Sequence, residues 1–173
     1  RLLQSRGLGD VYKRQKQARE AGINGCILAS DTWDDVSIIQ RVVEAGASID
    51  GVYFSTFFIE GDDTNPAANA FAEGFKAWLK EDSARLTDNS NSEEISAVTA
   101  CGYDAYMAIY YALDKAQSTD GATLRDALAA LDVPGLVTGD LKFDENGDAI
   151  KSYAIIKTAT TEGFVFADSV AIE

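Results

Sequence analysis

A short apolar stretch at residues 26–29 (Cys-Ile-Leu-Ala) lies between two helical patterns and constrains the fold more than any other feature. Its length and apolar side chains are typical of a strand. Residues 16–21 before it fit the last turns of a helix that a glycine ends, and apolar residues recur at helical spacing after Asp35. Residues 51–58, rich in β-branched and aromatic side chains, predict a second strand. The order helix, strand, helix, strand predicts an α/β fold with a doubly wound parallel sheet.

The residues directly after the first strand are the first place to look for a binding site. Ligands of open α/β sheets bind outside the carboxyl ends of the strands. Asp31, Thr32 and Trp33 lie at that position. An acid beside an aromatic residue there can bind a cationic or zwitterionic small molecule. The alternative is that Asp31 caps the helix that follows.

The composition argues against several classes of function. With 28 acidic and 15 basic residues, the formal net charge of −13 disfavours a nucleic acid partner, which requires a basic surface. The sequence contains no histidine, the commonest general acid or base and the commonest transition-metal ligand. It also contains no nucleophile elbow and no phosphate-binding loop. Cys26 and Cys101 have neither the density of a disulfide scaffold nor the spacing of metal ligands. We therefore expect neither an enzyme nor a cofactor or metal site.

The second half of the chain has a different order of elements. Helices are predicted from Asn65-Pro66 to about Glu81, from about Asn91 to Ala116, and over residues 124–131, with a disorder-prone insert at 83–91. The long helix would bury its stripe of Ile95, Val98, Cys101, Ala105, Ile109 and Leu113. Strands are predicted at residues 141–143, 150–158 and 164–168, with turns at Asn146-Gly147 and Glu162-Gly163. Because no strand separates the three helices, they cannot continue the first sheet.

The two remaining segments carry weaker signals. Residues 1–15 show no helical stripe and include Gly7-Leu8-Gly9-Asp10, so we expect a disordered or foreign leader. Residues 144–148 are acidic but lack the ligand spacing and closing glutamate of a calcium-binding EF-hand loop. No apolar run approaches the roughly 20 residues of a membrane span, and no export signal opens the sequence.

Five segments, in order, resemble a known family. Residues 22–34 resemble the Gly-Asp-Gly-Trp-Asp strand end of the periplasmic, type I solute-binding proteins of ABC importers, within the branched-chain amino acid group. Residues 51–56 resemble the crossover strand of that family, 62–66 its following loop, 102–105 its long-helix signature and 139–148 its closing hairpin. The resemblance extends from about Lys16 to Asp168.

The resemblance implies a periplasmic-binding-protein type I fold, in which two α/β lobes are joined by three crossovers. This chain would be a carboxy-terminal half. Residues 16–57 and 153–173 would belong to the carboxy-terminal lobe, and residues 60–150 to part of the amino-terminal lobe. The helices at 66–131 would then cover a sheet that this chain lacks. The segments that hold an amino acid's carboxylate in the family would also be missing.

The resemblance also implies a function. An extracytoplasmic solute-binding component of an ABC importer, periplasmic or at the cell surface, would capture a small zwitterion between its lobes and present it to a membrane permease. The ligand would be a branched-chain or other aliphatic amino acid, and no cofactor is implied. The same fold also serves in ligand-sensing receptor or regulator domains, which is the alternative.

Four residues are candidates for the ligand site. Asp31 matches the acid that receives the ligand's α-ammonium group, although Ser30 and Thr32 flank it where the family often has glycines. Trp33 matches an aromatic residue beside the pocket, or is a core tryptophan. Tyr103 matches the tyrosine of the long helix, where packing is the alternative role. Phe57 ends the crossover strand and faces either the cleft or the hinge.

Overall fold

A mixed four-stranded sheet with the strand order β1-β2-β5-β6 organises the fold. The structure, a computed structural model, describes residues 8–172. The strands are β1 Ile27–Ala29, β2 Val52–Thr56, β3 Asp132–Leu136, β4 Gly139–Lys142, β5 Tyr153–Ala159 and β6 Phe164–Ala171. The helices are α1 Leu8–Glu20, α2 Val36–Glu44, α3 Pro66–Lys80, α4 Ser83–Asp88, α5 Ala97–Ala116 and α6 Gly121–Ala129, with a 3-10 helix at Asp31–Trp33.

Only the first pair of strands in this sheet is parallel. β1 and β2 pair in parallel through the α2 crossover, as the alternating pattern predicts. β5 joins β2 antiparallel, and β6 joins β5 antiparallel. The second pairing follows from the short connection between them, in which Thr160 and Gly163 share a backbone hydrogen bond. β3 and β4 form a separate antiparallel hairpin.

The main sheet is covered by α2. This helix begins at the cap residue Asp35, and its side chains Ile38, Ile39 and Val42 are buried against Val52 and other residues of the sheet. The strands of the sheet come from residues 27–56 and 153–171, whereas residues 60–150 contribute α3–α6 and the β3–β4 hairpin. The assignment of these two groups to two lobes of a larger protein stays a prediction.

Helix α5 buries a different face from the predicted one. Its buried residues are Ala97, Ala100, Asp104, Ala108 and Ala112, and these small side chains allow close packing against α3, α6 and the β3–β4 hairpin. Large residues of the predicted stripe are exposed instead, including Val98 (72% exposed), Ile109 and Leu113. Within residues 8–172, no sheet packs against that stripe. The prediction is therefore confirmed for Ile95, which is buried just before α5, and wrong for Val98, Ala105, Ile109 and Leu113.

Three predicted boundaries also differ. Helix α1 begins at Leu8, and Gln15 is buried and donates a hydrogen bond to the Ser48 carbonyl, so a disordered leader is wrong for residues 8–15. Residues 1–7 of the predicted leader lie outside the described residues. The insert at 83–91 contains α4, which begins after the capping residue Asp82. Helix α5 begins after Ser96, whose side chain accepts from the Thr99 N–H, rather than at Asn91.

None of the helices in the described range combines the length and apolar character that a membrane crossing needs.

Candidate functional site

A cleft of about 400 Å³ lies between the carboxyl end of β1 and the beginning of α5. We call its two sides the β1 wall, formed by Asp31, Thr32 and residues 34–36, and the α5 wall, formed by residues 88–90, 94–96 and Val98. Phe164 of β6 also lines the cleft. Since the β1 wall directly follows the carboxyl end of a parallel strand, the cleft lies where open α/β sheets bind ligands.

Asp31 is the first residue of the 3-10 helix and is exposed in the cleft. Among the described residues, none donates a hydrogen bond to its carboxylate. Helix α2 is capped instead by Asp35, whose carboxylate accepts from the Ser37 N–H at 2.8 Å. The alternative in which Asp31 caps the following helix is therefore wrong. Its charge stays available to a cation that enters the cleft.

Asp34, three residues further on, is buried and fully engaged. Its carboxylate forms a salt bridge with the buried Lys157, with oxygen–nitrogen distances of 3.0 and 3.2 Å. Its Oδ2 also accepts from the Thr56 hydroxyl and from the Ala97 N–H, each at 2.8 Å. One carboxylate thus connects β5, β2 and the first residue of α5. A buried charge requires such partners, because its hydration is lost.

Two aromatic rings lie near the ammonium group of Lys157. Its Nζ lies 5.9 Å from the ring centroid of Phe58 and 6.0 Å from that of Phe164. The faces of aromatic rings attract cations. The ring of Phe164 in turn packs edge-on against Phe54 at 5.0 Å. The ammonium group of the ion pair therefore lies close to Phe164, which lines the cleft.

Glu94 lines the α5 wall and is half-buried. Burial raises the pKa of its carboxyl above the ordinary value. The nearby Lys157 lowers this pKa, while Glu60 and Asp34 raise it further and Lys76 lowers it. Because desolvation is the largest cause, Glu94 takes up a proton more readily than an exposed glutamate.

The other three sequence candidates do not line this cleft. Trp33 is buried in the core beside Ile39 and Phe54, which is the packing role that the sequence left open. Phe57 is half-buried just after β2. Tyr103 lies in an aromatic groove, with its ring centroid 4.9 Å from that of Phe71. The structure thus brings only Asp31 of the four to the cleft.

Asp104, the residue after Tyr103, has a structural role in the segment 102–105 (Gly-Tyr-Asp-Ala). Asp104 is buried and accepts hydrogen bonds from the backbone N–H groups of Val137 and Thr138 and from the Thr138 hydroxyl, at 2.7–3.0 Å. Lys151 donates to Thr138 on its other side, and burial lowers the pKa of this lysine. Asp104 therefore anchors the β3–β4 hairpin to α5, away from the cleft.

Sequence reasoning missed Lys157, Thr56, Glu94 and Phe164. One signal for Lys157 exists: Ile155, Lys157 and Ala159 alternate on the buried face of β5. A lysine at an inward position of a strand requires an acidic partner. That partner, Asp34, lies 123 residues away in the sequence, and no local pattern identifies it.

Comparison with known proteins identifies the class. Residues 6–162 match the model of the periplasmic binding protein family, so the chain belongs to this family. The match begins inside the segment that we predicted to be a non-family leader, so the predicted boundary at residue 15 lies too far along the chain. No curated protein matches the chain.

Solved structures support the same fold. A leucine binding protein, LivK, from Thermotoga maritima is 27% identical, with a TM-score of 0.77 over 95% of this chain and 43% of that chain. The substrate-binding protein LivJ of a branched-chain amino acid transporter from Streptococcus pneumoniae, in complex with isoleucine, is 22% identical, with a TM-score of 0.73 over 96% and 42%. A fatty acid ABC transporter substrate-binding protein from Thermomonospora curvata is 16% identical, with a TM-score of 0.73 over 96% and 42%. The chain thus spans less than half the length of these proteins.

Proposed function

We propose that this chain is the carboxy-terminal half of an extracytoplasmic solute-binding protein of an ABC importer, which captures a small aliphatic amino acid. The observation that supports this most is the exposed carboxylate of Asp31 at the carboxyl end of β1, with no partner among the described residues. An α-ammonium group is a chemically suitable partner for such a carboxylate. The leucine-binding relative from Thermotoga maritima supports the choice of ligand class.

The rest of the cleft lining is compatible with an aliphatic side chain. Ile95, Val98, Val36 and Phe164 contribute apolar surface beside the acidic groups. Ligand sites are typically apolar cavities in which a few polar groups fix the orientation. The ligand's carboxylate would be held by segments outside this chain, as the family resemblance implies. The partner of the complete protein would be a membrane permease.

The proposal is tested on the longer protein, meaning the complete solute-binding protein of which this chain would be the carboxy-terminal half. A thermal-shift screen of the common amino acids is followed by calorimetry on Asp31→Asn. Removing one partner of a charge pair that is desolvated in a complex costs about 2–5 kcal/mol. At about 1.4 kcal/mol per tenfold, we expect binding of L-leucine to weaken by roughly 30-fold or more.

Asp63→Asn is the matched control, because it makes the same change of charge on an exposed loop residue outside the cleft. Its affinity should stay within about twofold of the wild type, since distant exposed charges are screened. A loss of less than about threefold for Asp31→Asn would contradict the proposed role, because it corresponds to less than about 1 kcal/mol.

The neighbouring genes separate transport from sensing: permease and ATPase genes support an importer, whereas a fused output domain supports a receptor.

A further inference from the structure

We propose that Asp34 is a positioning residue for the ligand cleft, which holds the β1 wall and the α5 wall at a fixed separation. The identity of the ligand in this inference rests on the proposed function. Asp34 does not have to touch the ligand. It acts through Asp31, which precedes it by three residues, and through the start of α5.

The geometry that supports this role is the convergence of two walls on one carboxylate. Asp34 belongs to the β1 wall, and its backbone N–H donates to the Asp31 carbonyl at 2.9 Å, which closes the turn that presents Asp31. Its Oδ2 accepts from the N–H of Ala97, the first residue of α5, at 2.8 Å. Ala97 lies directly between two residues that line the α5 wall, Ser96 and Val98. A single oxygen therefore connects the two walls.

Hydrogen bonds from Thr56 and Lys157 hold the carboxylate of Asp34 in place. The Thr56 hydroxyl donates to the same Oδ2 at 2.8 Å, and Lys157 donates to both oxygens. All three residues of this network, Asp34, Thr56 and Lys157, are buried. A carboxylate near the N-terminus of a helix is also stabilised by the helix dipole. Donors from β2, β5 and α5 therefore hold the carboxylate in place.

An amide cannot replace this carboxylate without loss. Asparagine has one acceptor oxygen, and its NH₂ group donates only. In Asp34→Asn, an NH₂ in the place of Oδ2 would face Thr56, Ala97 and Lys157 together, whereas an NH₂ in the place of Oδ1 would face Lys157 alone. In the second orientation Ala97 keeps an acceptor, but a neutral amide oxygen replaces the charged carboxylate and the hydrogen bond to α5 weakens.

Asp104, which lies on α5, provides a matched control. Like Asp34 it is buried and accepts from a threonine hydroxyl and from backbone N–H groups, two for Asp104 and one for Asp34. Its partners Val137 and Thr138 lie in the β3–β4 region rather than in the cleft. A purely structural role predicts that Asp34→Asn and Asp104→Asn have the same consequences. A positioning role predicts that only Asp34→Asn changes binding.

The experiment measures two quantities for both variants in the longer protein: the affinity for L-leucine by calorimetry, and amide hydrogen exchange at Ala97 relative to the middle of α5. For Asp34→Asn we expect roughly tenfold weaker binding and roughly tenfold faster relative exchange at Ala97, about the effect of one charge-assisted hydrogen bond. For Asp104→Asn we expect binding within about twofold of the wild type and faster exchange at Val137 and Thr138 instead.

A milder pair of variants decides the question if Asp34→Asn does not fold. Thr56→Val removes one donor to Asp34, and Thr158→Val removes a comparable hydroxyl that donates to the Val52 carbonyl at 2.9 Å within the same sheet. Thr56→Val should weaken L-leucine binding by about threefold and Thr158→Val by less than about 1.5-fold.

The possible failures are distinguishable. Equal affinities for wild type and Asp34→Asn, or for Thr56→Val and Thr158→Val, would overturn the positioning role. Wild-type protein that binds no amino acid would overturn the proposed function instead. In that case exchange at Ala97 still decides the inference, and unchanged exchange in Asp34→Asn would refute it.

Discussion

The buried ion pair between Asp34 and Lys157 makes Lys157→Met a strong test of the structure. Methionine keeps most of the length and apolar surface of the lysine stem but removes its charge. Asp34 would keep its hydrogen bonds to Thr56 and Ala97 and lose the only cation that contacts it within residues 8–172. The cost is therefore mainly that of an uncompensated buried carboxylate.

The expected magnitude follows from this burial. Both side chains are nearly inaccessible, and both oxygens of Asp34 lie within 3.2 Å of the ammonium nitrogen. Breaking such a pair by removing one partner costs about 3–5 kcal/mol. In a chain of this size, 1 kcal/mol corresponds to a change in Tm of about 2–4 °C. We therefore expect Lys157→Met to lower Tm by about 6–20 °C.

Urea unfolding followed by tryptophan fluorescence measures this loss, since Trp33 is buried in the adjoining core. The double variant Asp34→Asn/Lys157→Met should be less destabilised than the sum of the two single variants, because it leaves no unpaired charge. Lys76→Met is the control, since Lys76 pairs with Glu60 where both side chains are partly exposed, and such pairs contribute about 0–1 kcal/mol. A loss below about 1 kcal/mol for Lys157→Met would refute the reasoning.

Three further results are expected. Glu94→Gln should stabilise the protein near neutral pH and have little effect in acid, as measured by urea unfolding across the pH range, because burial raises the pKa of Glu94. Arg19→Met should lower the free energy of unfolding by about 1 kcal/mol in the same assay, because the guanidinium group donates to the carbonyls of Ile23, Gly25 and Asp50. Isothermal titration of the 173-residue chain alone with L-leucine should show no saturable binding, because the chain spans less than half the length of its relatives and, in the proposed function, part of the enclosing site lies outside it.

Each result has a control and a contradicting outcome. The sign for Glu94 follows from linkage: a raised folded-state pKa stabilises the fold below the unfolded-state pKa, and this contribution is lost as pH rises through the folded-state pKa. Glu93→Gln, at an exposed residue paired with Lys80, should not stabilise at neutral pH, and a destabilising Glu94→Gln would contradict the argument. Lys16→Met is the control for Arg19→Met, and equal losses would contradict the bridging role. A Kd below about 100 μM, or about −5.5 kcal/mol, would contradict the proposal that part of the site lies outside this chain.

Local signals predicted the elements that bury one face. Helix α2 begins after Asp35, where the apolar spacing predicts it, and α3 begins at Pro66, as the Asn65-Pro66 pattern indicates. β2 lies within the predicted apolar and aromatic segment. These predictions succeed because caps and strand periodicity are properties of neighbouring residues. They do not depend on what packs against the element.

The orientation of α5 was not predictable in the same way. The helix carries a face of small residues around Ala100 and Ala108 and a second face of large apolar ones such as Val98 and Tyr106. An apolar pattern alone favours the large residues as the buried face. In the described residues the small face is buried, since alanines allow the neighbouring helices and hairpin to approach closely. Which face is covered depends on the neighbours present, and a sequence pattern does not contain that information.

The two carboxylates at the end of β1 show the same dependence on distant partners. Asp31 and Asp34 have the same chemistry and lie three residues apart, yet Asp34 is buried against Lys157 and Asp31 is exposed to the cleft. The negative charge of Asp34 is compensated by the positive charge of Lys157, so this carboxylate does not attract a cationic ligand. Asp31 has no such partner among the described residues, so an entering ammonium group would gain its attraction from this carboxylate. The selectivity that we propose for an amine therefore originates in the position of a lysine on β5, far from the segment that carries both acids.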